Sequence, residues 1–335
     1  MTTNGSKPTL RIVLETGSLA GGVRVVGEIA NRLVPQGYPV EIWSVNPKES
    51  LTSWFELDKR IKWYNFFRTG TVEDYDGLTS VLSKQDGFKM ATYWRTAFPV
   101  AEACKSKGQG LYLVQDIETS YTSQPAMAGL VMKSYDQPLQ KWTTSQWVLR
   151  NLPGCEYIGI GVNKFYRSQE GVKRNSQPLA IARKQALKGF SELMEVARYL
   201  NQAGKTLNTF GLDEYLVGFV PVHHLSKPDD RSVRALYNQF GCFISTSQHE
   251  GFSLTPLEAM ACACPVVTTY ADGNEEYCED GVNCLMASNP RAIADQALRV
   301  LKDKDLAAKL SKNALEVPKR YTWDKVIDNI IRLMQ

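Results

Sequence analysis

Histidine is scarce in this chain. Only three of its 335 residues are histidines, His223, His224 and His249, so the first 222 residues offer no imidazole to act as acid or base. Long apolar runs are missing too. Nothing approaches the roughly 20 residues that a membrane-spanning helix requires, and the polar stretch from Met1 to Pro8 has no signal-peptide core. A cytoplasmic protein is therefore expected, with peripheral membrane contact left open. Charge of one sign is not in excess. Lys plus Arg number 39 against 35 for Asp plus Glu, a net +4 with a pI near 8.5. That is too weakly basic for a nucleic-acid binder, and it suits a small anionic ligand or a membrane surface. The seven cysteines are scattered. Cys262-Ala-Cys264 is too tight for a zinc pair and has no second pair, so buried reduced thiols are expected. Repeats and low-complexity segments are absent, and so is the Gly-x-Gly-x-x-Gly turn of dinucleotide-binding proteins.

What is present points to an α/β protein of two domains. The length exceeds the usual single domain. The 43% hydrophobic and 22% charged residues are an ordinary globular balance. The chain opens with a strand, Leu10 to Leu14. A glycine-rich turn ending in Gly21-Gly22 follows, then an apolar-periodic helix to Leu33, closed by Gly37, and a strand from Tyr38 to Trp43. Glycines before a helix either make a tight turn or let backbone N–H groups approach a phosphate. A nicotinamide cofactor is disfavoured, because Glu41, the acidic residue at about the right distance, begins its strand rather than ending it. Further strands are expected at 88–93, 110–114, 141–144, 157–160 and 178–182, with helices between them.

The richest segment runs from His249 to Ala261. A short apolar strand precedes it (Cys242 to Thr246) and another follows it (Pro265 to Thr269). This is strand, glycine turn, helix, strand: one unit of a parallel sheet, whose ligands bind at the carboxyl ends of the strands. Gly251 permits the sharp turn. Thr255 reads as the helix cap and Pro256 as the first helical residue. The N–H groups of Ser253, Leu254 and Thr255 would then favour an anion. Glu250 and Glu258 stand on either side. A purely structural reading stays available for each: Glu258 as the partner of Thr255 in a capping box, and Glu250 as a solvated loop carboxylate. Upstream, Arg183 and Lys188 follow the strand 178–182. They are either a solvated pair or a grip for a diphosphate.

Together these residues resemble the retaining glycosyltransferases of family 4, which have the GT-B fold. Their Glu-x7-Glu motif reads Glu-Gly-Phe-Gly-x-x-x-x-Glu-Ala-Met-Ala-x-Gly-x-Pro-Val-Val; here Ser253 and Ala263 replace its second and last glycines. The family's Gly-Arg-x-x-x-x-Lys-Gly appears as Ala182-Arg183, four residues, then Lys188-Gly189. The resemblance implies two Rossmann-like parallel-sheet domains facing a cleft. On that reading an acceptor-side domain spans residues 1–165, a linker 166–177 and a nucleotide-sugar domain 178–318, and a helix, 319–335, crosses back onto the first domain. It assigns catalysis to Glu250, Arg183 and Lys188, and the ribose to Glu258. Donor contacts are implied for Gly21, Gly22, Phe219, Val220, Gly251, Phe252, Ser253, Leu254 and Thr255.

The implied reaction moves a sugar from a UDP-, GDP-, dTDP- or ADP-linked donor to a glycan, lipid-linked or small-molecule acceptor, with retention. No cofactor and no metal are expected, since the cations take the diphosphate charge. The triplets Asp74-Tyr-Asp76 and Asp303-Lys-Asp305 read as structural. The family's first-domain histidine has no counterpart here, and His223 and His224 read as surface-loop residues rather than ligands. Asp116 or Glu118, after the strand 110–114, could bind the acceptor or serve as its base, and Asp116 could equally cap a helix. The Val114-Gln-Asp-x-Glu118 string is similar to rhamnosyltransferases of surface-polysaccharide synthesis. Two other classes are kept: another GT-B enzyme of epimerase or phosphorylase type, and a non-catalytic sugar- or nucleotide-binding module.

Overall fold

A computed structural model describes residues 7–45, 51–68, 72–122, 124–214 and 221–335. The chain divides into two compact units. The first holds the residues up to Ile160 together with Trp323–Gln335, and the second holds Gly161–Thr322. Each is built on one parallel sheet.

In the first unit, β1 (Leu10–Leu14), α1 (Gly21–Leu33), β2 (Val40–Ser44) and β3 (Lys62–Asn65) come first. A short antiparallel pair follows, β4 (Phe67–Arg68) and β5 (Val72–Glu73). Then come α2 (Tyr75–Leu82), β6 (Phe88–Ala91), α3 (Trp94–Cys104), β7 (Gln109–Val114), α4 (Pro125–Tyr135), β8 (Gln140–Thr143), α5 (Gln146–Asn151) and β9 (Cys155–Tyr157). The sheet order is β3-β2-β1-β6-β7-β8-β9. The order reverses between β1 and β6, and at such a point the loops after the strands diverge and leave room for a ligand. Glu41 is accounted for structurally: Arg11 Nε on the neighbouring strand lies 2.8 Å from its carboxylate.

The second unit contains β10 (Pro178–Ile181), α6 (Phe190–Gln202), β11 (Leu207–Gly211), β12 (Val222–Ser226), α7 (Asp230–Gln239), β13 (Cys242–Ser245), α8 (Leu254–Ala261), β14 (Val266–Thr268), β15 (Leu285–Met286), α9 (Pro290–Lys302) and α10 (Lys304–Ala314). Its sheet runs β12-β11-β10-β13-β14-β15. Side chains alternate between two cores, as a strand covered on both faces requires. Leu179, Phe243 and Val266 enter one core. Ala180, Ile244 and Val267 enter the other.

Two local expectations change. Residues 166–177, read as the linker, fall within the second unit. The carbonyls at the C-terminus of α7 have no helical donors. Arg174 supplies one, its Nη1 donating to Phe240 O at 3.0 Å, and Asn175 N donates to Gln239 O at 2.8 Å. His223 and His224 lie on the edge strand β12, not in a loop, and His224 Nδ1 is 3.0 Å from Thr209 Oγ1. Both Asp-x-Asp triplets begin with a helix cap: Asp74 accepts from Gly77 N and Asp303 from Leu306 N.

The final helix, α11 (Trp323–Leu333), belongs to the first unit. Its Trp323, Val326, Ile327 and Ile330 are buried. Arg32 of α1 stacks over the Trp323 ring at 5.1 Å, and Asn329 Nδ2 donates to Ile158 O at 3.2 Å.

Candidate functional site

The second unit gathers its charged side chains at the carboxyl ends of β10 and β13, two paired central strands. After β10 the chain makes one 3-10 turn, Ala186–Lys188, and passes through Gly189 into α6. Gly189 has φ +66°, and a Cβ there would lie 1.9 Å from Thr246 O. Only glycine lets the two loops come this close, and the Thr246 hydroxyl closes the seam by donating to Gly189 O at 2.9 Å.

This seam brings together the three residues assigned to catalysis. Arg183 Nη2 lies 2.8 Å from Glu250 Oε1, and Lys188 Nζ lies 2.9 Å from Glu250 Oε2. The Ser247 hydroxyl also donates to Glu250 Oε1, at 2.8 Å. Lys188 Nζ reaches His249 O at 3.3 Å. Burial by itself would raise the Glu250 pKa, but the Arg183 and Lys188 charges outweigh it and hold the carboxyl below its ordinary range. Two cations therefore face one carboxylate, which leaves a positive site after Glu250 is counted.

The adjoining helix differs from its sequence reading. α8 starts at Leu254, with Ser253 as the cap residue, so Thr255 and Pro256 are the second and third helical positions. The cap moves back because Ser253 takes the extended conformation, φ −92° and ψ 114°, that precedes a helix. Ser253 makes no side-chain cap bond, so the first N–H groups of α8 keep their affinity for an anion. The alternative Thr255–Glu258 capping box is not made. Glu258 falls in the second turn, buried, with the Tyr237 hydroxyl 3.5 Å from its Oε2, and the Thr255 hydroxyl is buried without a hydrogen-bond partner. Phe252 packs in the core against Tyr277 and Tyr321, at ring distances of 5.3 and 5.5 Å. Gly251 is buried beneath Gly273, whose Cβ, if present, would lie 2.5 Å from Gly251 O.

Phe219 and Val220 lie outside the described residues. In the first unit, Gly21 and Gly22 are the first two residues of α1, after the uncapped Ala20. A Cβ on Gly22 would come within 3.0 Å of Gln115, whose Nε2 donates to Gly22 O at 3.2 Å, whereas Gly21 has open space around it. Asp116 accepts from Ile117 N at 2.8 Å and from the Tyr121 hydroxyl, so it organises its own loop.

Glu118, the other candidate after β7, is buried. Its Oε2 takes the Trp94 N–H at 2.8 Å and the Tyr112 hydroxyl at 3.2 Å. Burial pushes its pKa up to about 8 against those hydrogen bonds. It supports the start of α3 and does not face solvent.

Sequence reasoning missed Ser247 and the pair His249–Asp272, whose Nδ1 and Oδ2 are 2.6 Å apart. Nothing in the sequence singles out Ser247.

Residues 221–317 match the family model described as glycosyl transferases group 1. That span includes Glu250 and Glu258 and ends short of α11. An uncharacterized glycosyltransferase of Methanocaldococcus jannaschii is 24% identical over 156 residues, 44% of this chain and 44% of that protein. The O-antigen biosynthesis protein RfbC of Myxococcus xanthus is 32% identical over 278 residues, 72% of this chain and 20% of that protein. The chain thus spans less than half the length of these relatives. In fold, the solved structure of Anabaena HepE in complex with UDP and glucose superposes with a TM-score of 0.80 at 16% identity, covering 98% of this chain and 99% of that one. The two Rossmann-like parallel-sheet units are thus those of a GT-B fold, and the chain's relatives include glycosyltransferases.

Proposed function

We propose that this protein is a retaining, metal-independent glycosyltransferase that takes a sugar from a nucleoside-diphosphate donor. The observation that carries the reading is the Arg183–Glu250–Lys188 cluster beside the uncapped start of α8. A diphosphate needs fixed positive charge where its bridging oxygen becomes a leaving group. Arg183, Lys188 and the α8 N–H groups supply that charge in a place already shielded from water. Lys188 and Glu250 each have side chains only 8% exposed.

The chemistry follows from the charges. The bond from the anomeric carbon to the phosphate oxygen breaks, and its electron pair leaves with the diphosphate. Positive charge grows on the sugar ring, and the acceptor hydroxyl oxygen bonds to the anomeric carbon as its proton passes to the departing phosphate oxygen. Arg183 and Lys188 receive the diphosphate. Glu250, released from part of its pairing as the phosphates arrive, turns to the sugar hydroxyls. Glu258 takes the ribose. In the first unit, Gly21 and Gly22 take the donor-diphosphate role and Asp116 or Glu118 the acceptor role, with Asp116 favoured because Glu118 is buried.

A UDP-linked hexose is the first donor to test, because the Anabaena relative in fold was solved with UDP and glucose. Nucleotide release from donor sugars, with and without glycan or lipid-linked acceptors, tests the proposal. Wild type should release nucleotide and Glu250→Ala should not. Equal background rates in both proteins with every donor would refute it.

A further inference from the structure

The loop that carries Glu250 is gripped by a short 3-10 turn, Asp272–Glu276. Gly273 N donates to Glu250 O at 2.8 Å. The approach is so close that a Cβ on Gly273 would also lie 2.8 Å from that same oxygen. One residue earlier, the Asp272 carboxylate meets His249 Nδ1 at 2.6 Å. The imidazole is 10% exposed and the carboxylate 40% exposed, so Asp272 reaches in from the surface to a buried ring. The turn is itself anchored, because buried Asn274 donates to Thr268 Oγ1 at 2.9 Å. The carbonyl of His249 then accepts from Lys188 Nζ at 3.3 Å. A continuous path therefore runs from Asp272 through the His249 ring and main chain to both Lys188 and the Glu250 carboxylate.

This path answers a need. Glu250 occupies the same two cations that a diphosphate would take. When the phosphates displace it, the side chain must turn while its main chain stays in place. A ring fixed by a carboxylate on one nitrogen is a rigid stop for that main chain.

We propose that Asp272 is a positioning residue for sugar transfer, acting through the His249 ring to fix the backbone between Lys188 and Glu250. The inference rests on the glycosyltransferase reading for its kinetic consequence only. Asp272→Ala removes the acceptor for Nδ1, while Asp272→Asn keeps one. Two readouts apply: transfer kinetics, and the titration of the Glu250 carboxyl by NMR on glutamate labelled with carbon-13. The groups facing that carboxyl are Arg183, Lys188 and the Ser247 hydroxyl.

In Asp272→Ala, kcat should fall about tenfold or more with donor KM within about threefold. The Glu250 carboxyl should titrate at a higher pH as Lys188 loosens, and Asp272→Asn should restore both. An Asp272→Ala protein with unchanged kcat and unchanged Glu250 titration overturns the inference. So does a parallel loss of kcat, donor affinity and thermal stability that Asp272→Asn fails to repair, since that marks a merely structural bond. If the Glu250 titration moves but wild type transfers sugar from no donor, the positioning role stands and the glycosyltransferase reading falls.

Discussion

Ala263 sits at φ 56°, in the left-handed region that glycine enters freely. It follows α8 in a Schellman arrangement: Cys264 N donates to Ala259 O and Ala263 N to Met260 O, both at 2.9 Å. The related motif carries glycine at this position, and here the strain is retained. Ala263→Gly should therefore stabilise the protein by about 1 kcal/mol, read as a shift in the denaturant midpoint at constant slope; a lower midpoint would contradict the strained conformation. Glu250 is the second residue-scale case. Replacing it by alanine leaves Arg183 and the 8%-exposed Lys188 facing each other without their carboxylate. Losing one partner of a buried ion pair typically costs about 3 kcal/mol or more. A bound nucleotide diphosphate should restore much of that, so the thermal shift given by UDP should be larger in Glu250→Ala than in wild type. A smaller shift would mean that the cations do not meet the phosphates. These residues were legible because each carries charge or special backbone freedom at a fixed spacing. Ser247 was not, because a serine among serines and threonines shows its role only once the loop is folded.

The elements themselves were largely readable. Short, nearly continuous apolar runs at 10–14, 110–114 and 242–246 mark strands buried on both faces. Edges and caps were harder. His223 and His224 were read as loop residues because an edge strand, half exposed, has no apolar alternation to reveal it. Thr255 outranked Ser253 as the cap of α8 because the Pro that follows it suggests a first helical residue, yet proline is tolerated throughout the first turn. Glu118 shows what sequence cannot display. It reads as an exposed acid after a strand, but it folds under the first N–H of α3. With a folded pKa of about 8 against an ordinary value of 4.5, the folded state holds a proton that the unfolded state releases between those values. Its contribution to stability is full below about pH 4.5 and shrinks as pH rises towards 8, by about 1.4 kcal/mol per unit. Glu118→Gln should flatten the decline in unfolding free energy between pH 5 and 8. An unchanged slope would show that Glu118 is ionised in the fold.

At the scale of the molecule, the chain enters its second unit at Gly161 and returns to the first at Trp323. The amphipathic pattern of the last segment shows a helix, but not which core receives it. The structure gives Trp323, Val326, Ile327 and Ile330 to the first unit. A chain ending at Thr322 should therefore lower the melting of the first unit and leave the second nearly intact, splitting the thermal transition into two. A single transition shifted as a whole would count against that division.

On the proposed reading, Arg183, Lys188 and Glu250 form one site for a nucleoside diphosphate-linked sugar. Calorimetric titration of UDP, GDP, dTDP and ADP into wild type, Lys188→Ala and Glu250→Ala tests it most directly. One nucleotide should bind wild type, lose about tenfold or more in affinity with Lys188→Ala, and bind Glu250→Ala at least as tightly as wild type. Binding of no nucleotide, or equal affinity in wild type and Lys188→Ala, would contradict it.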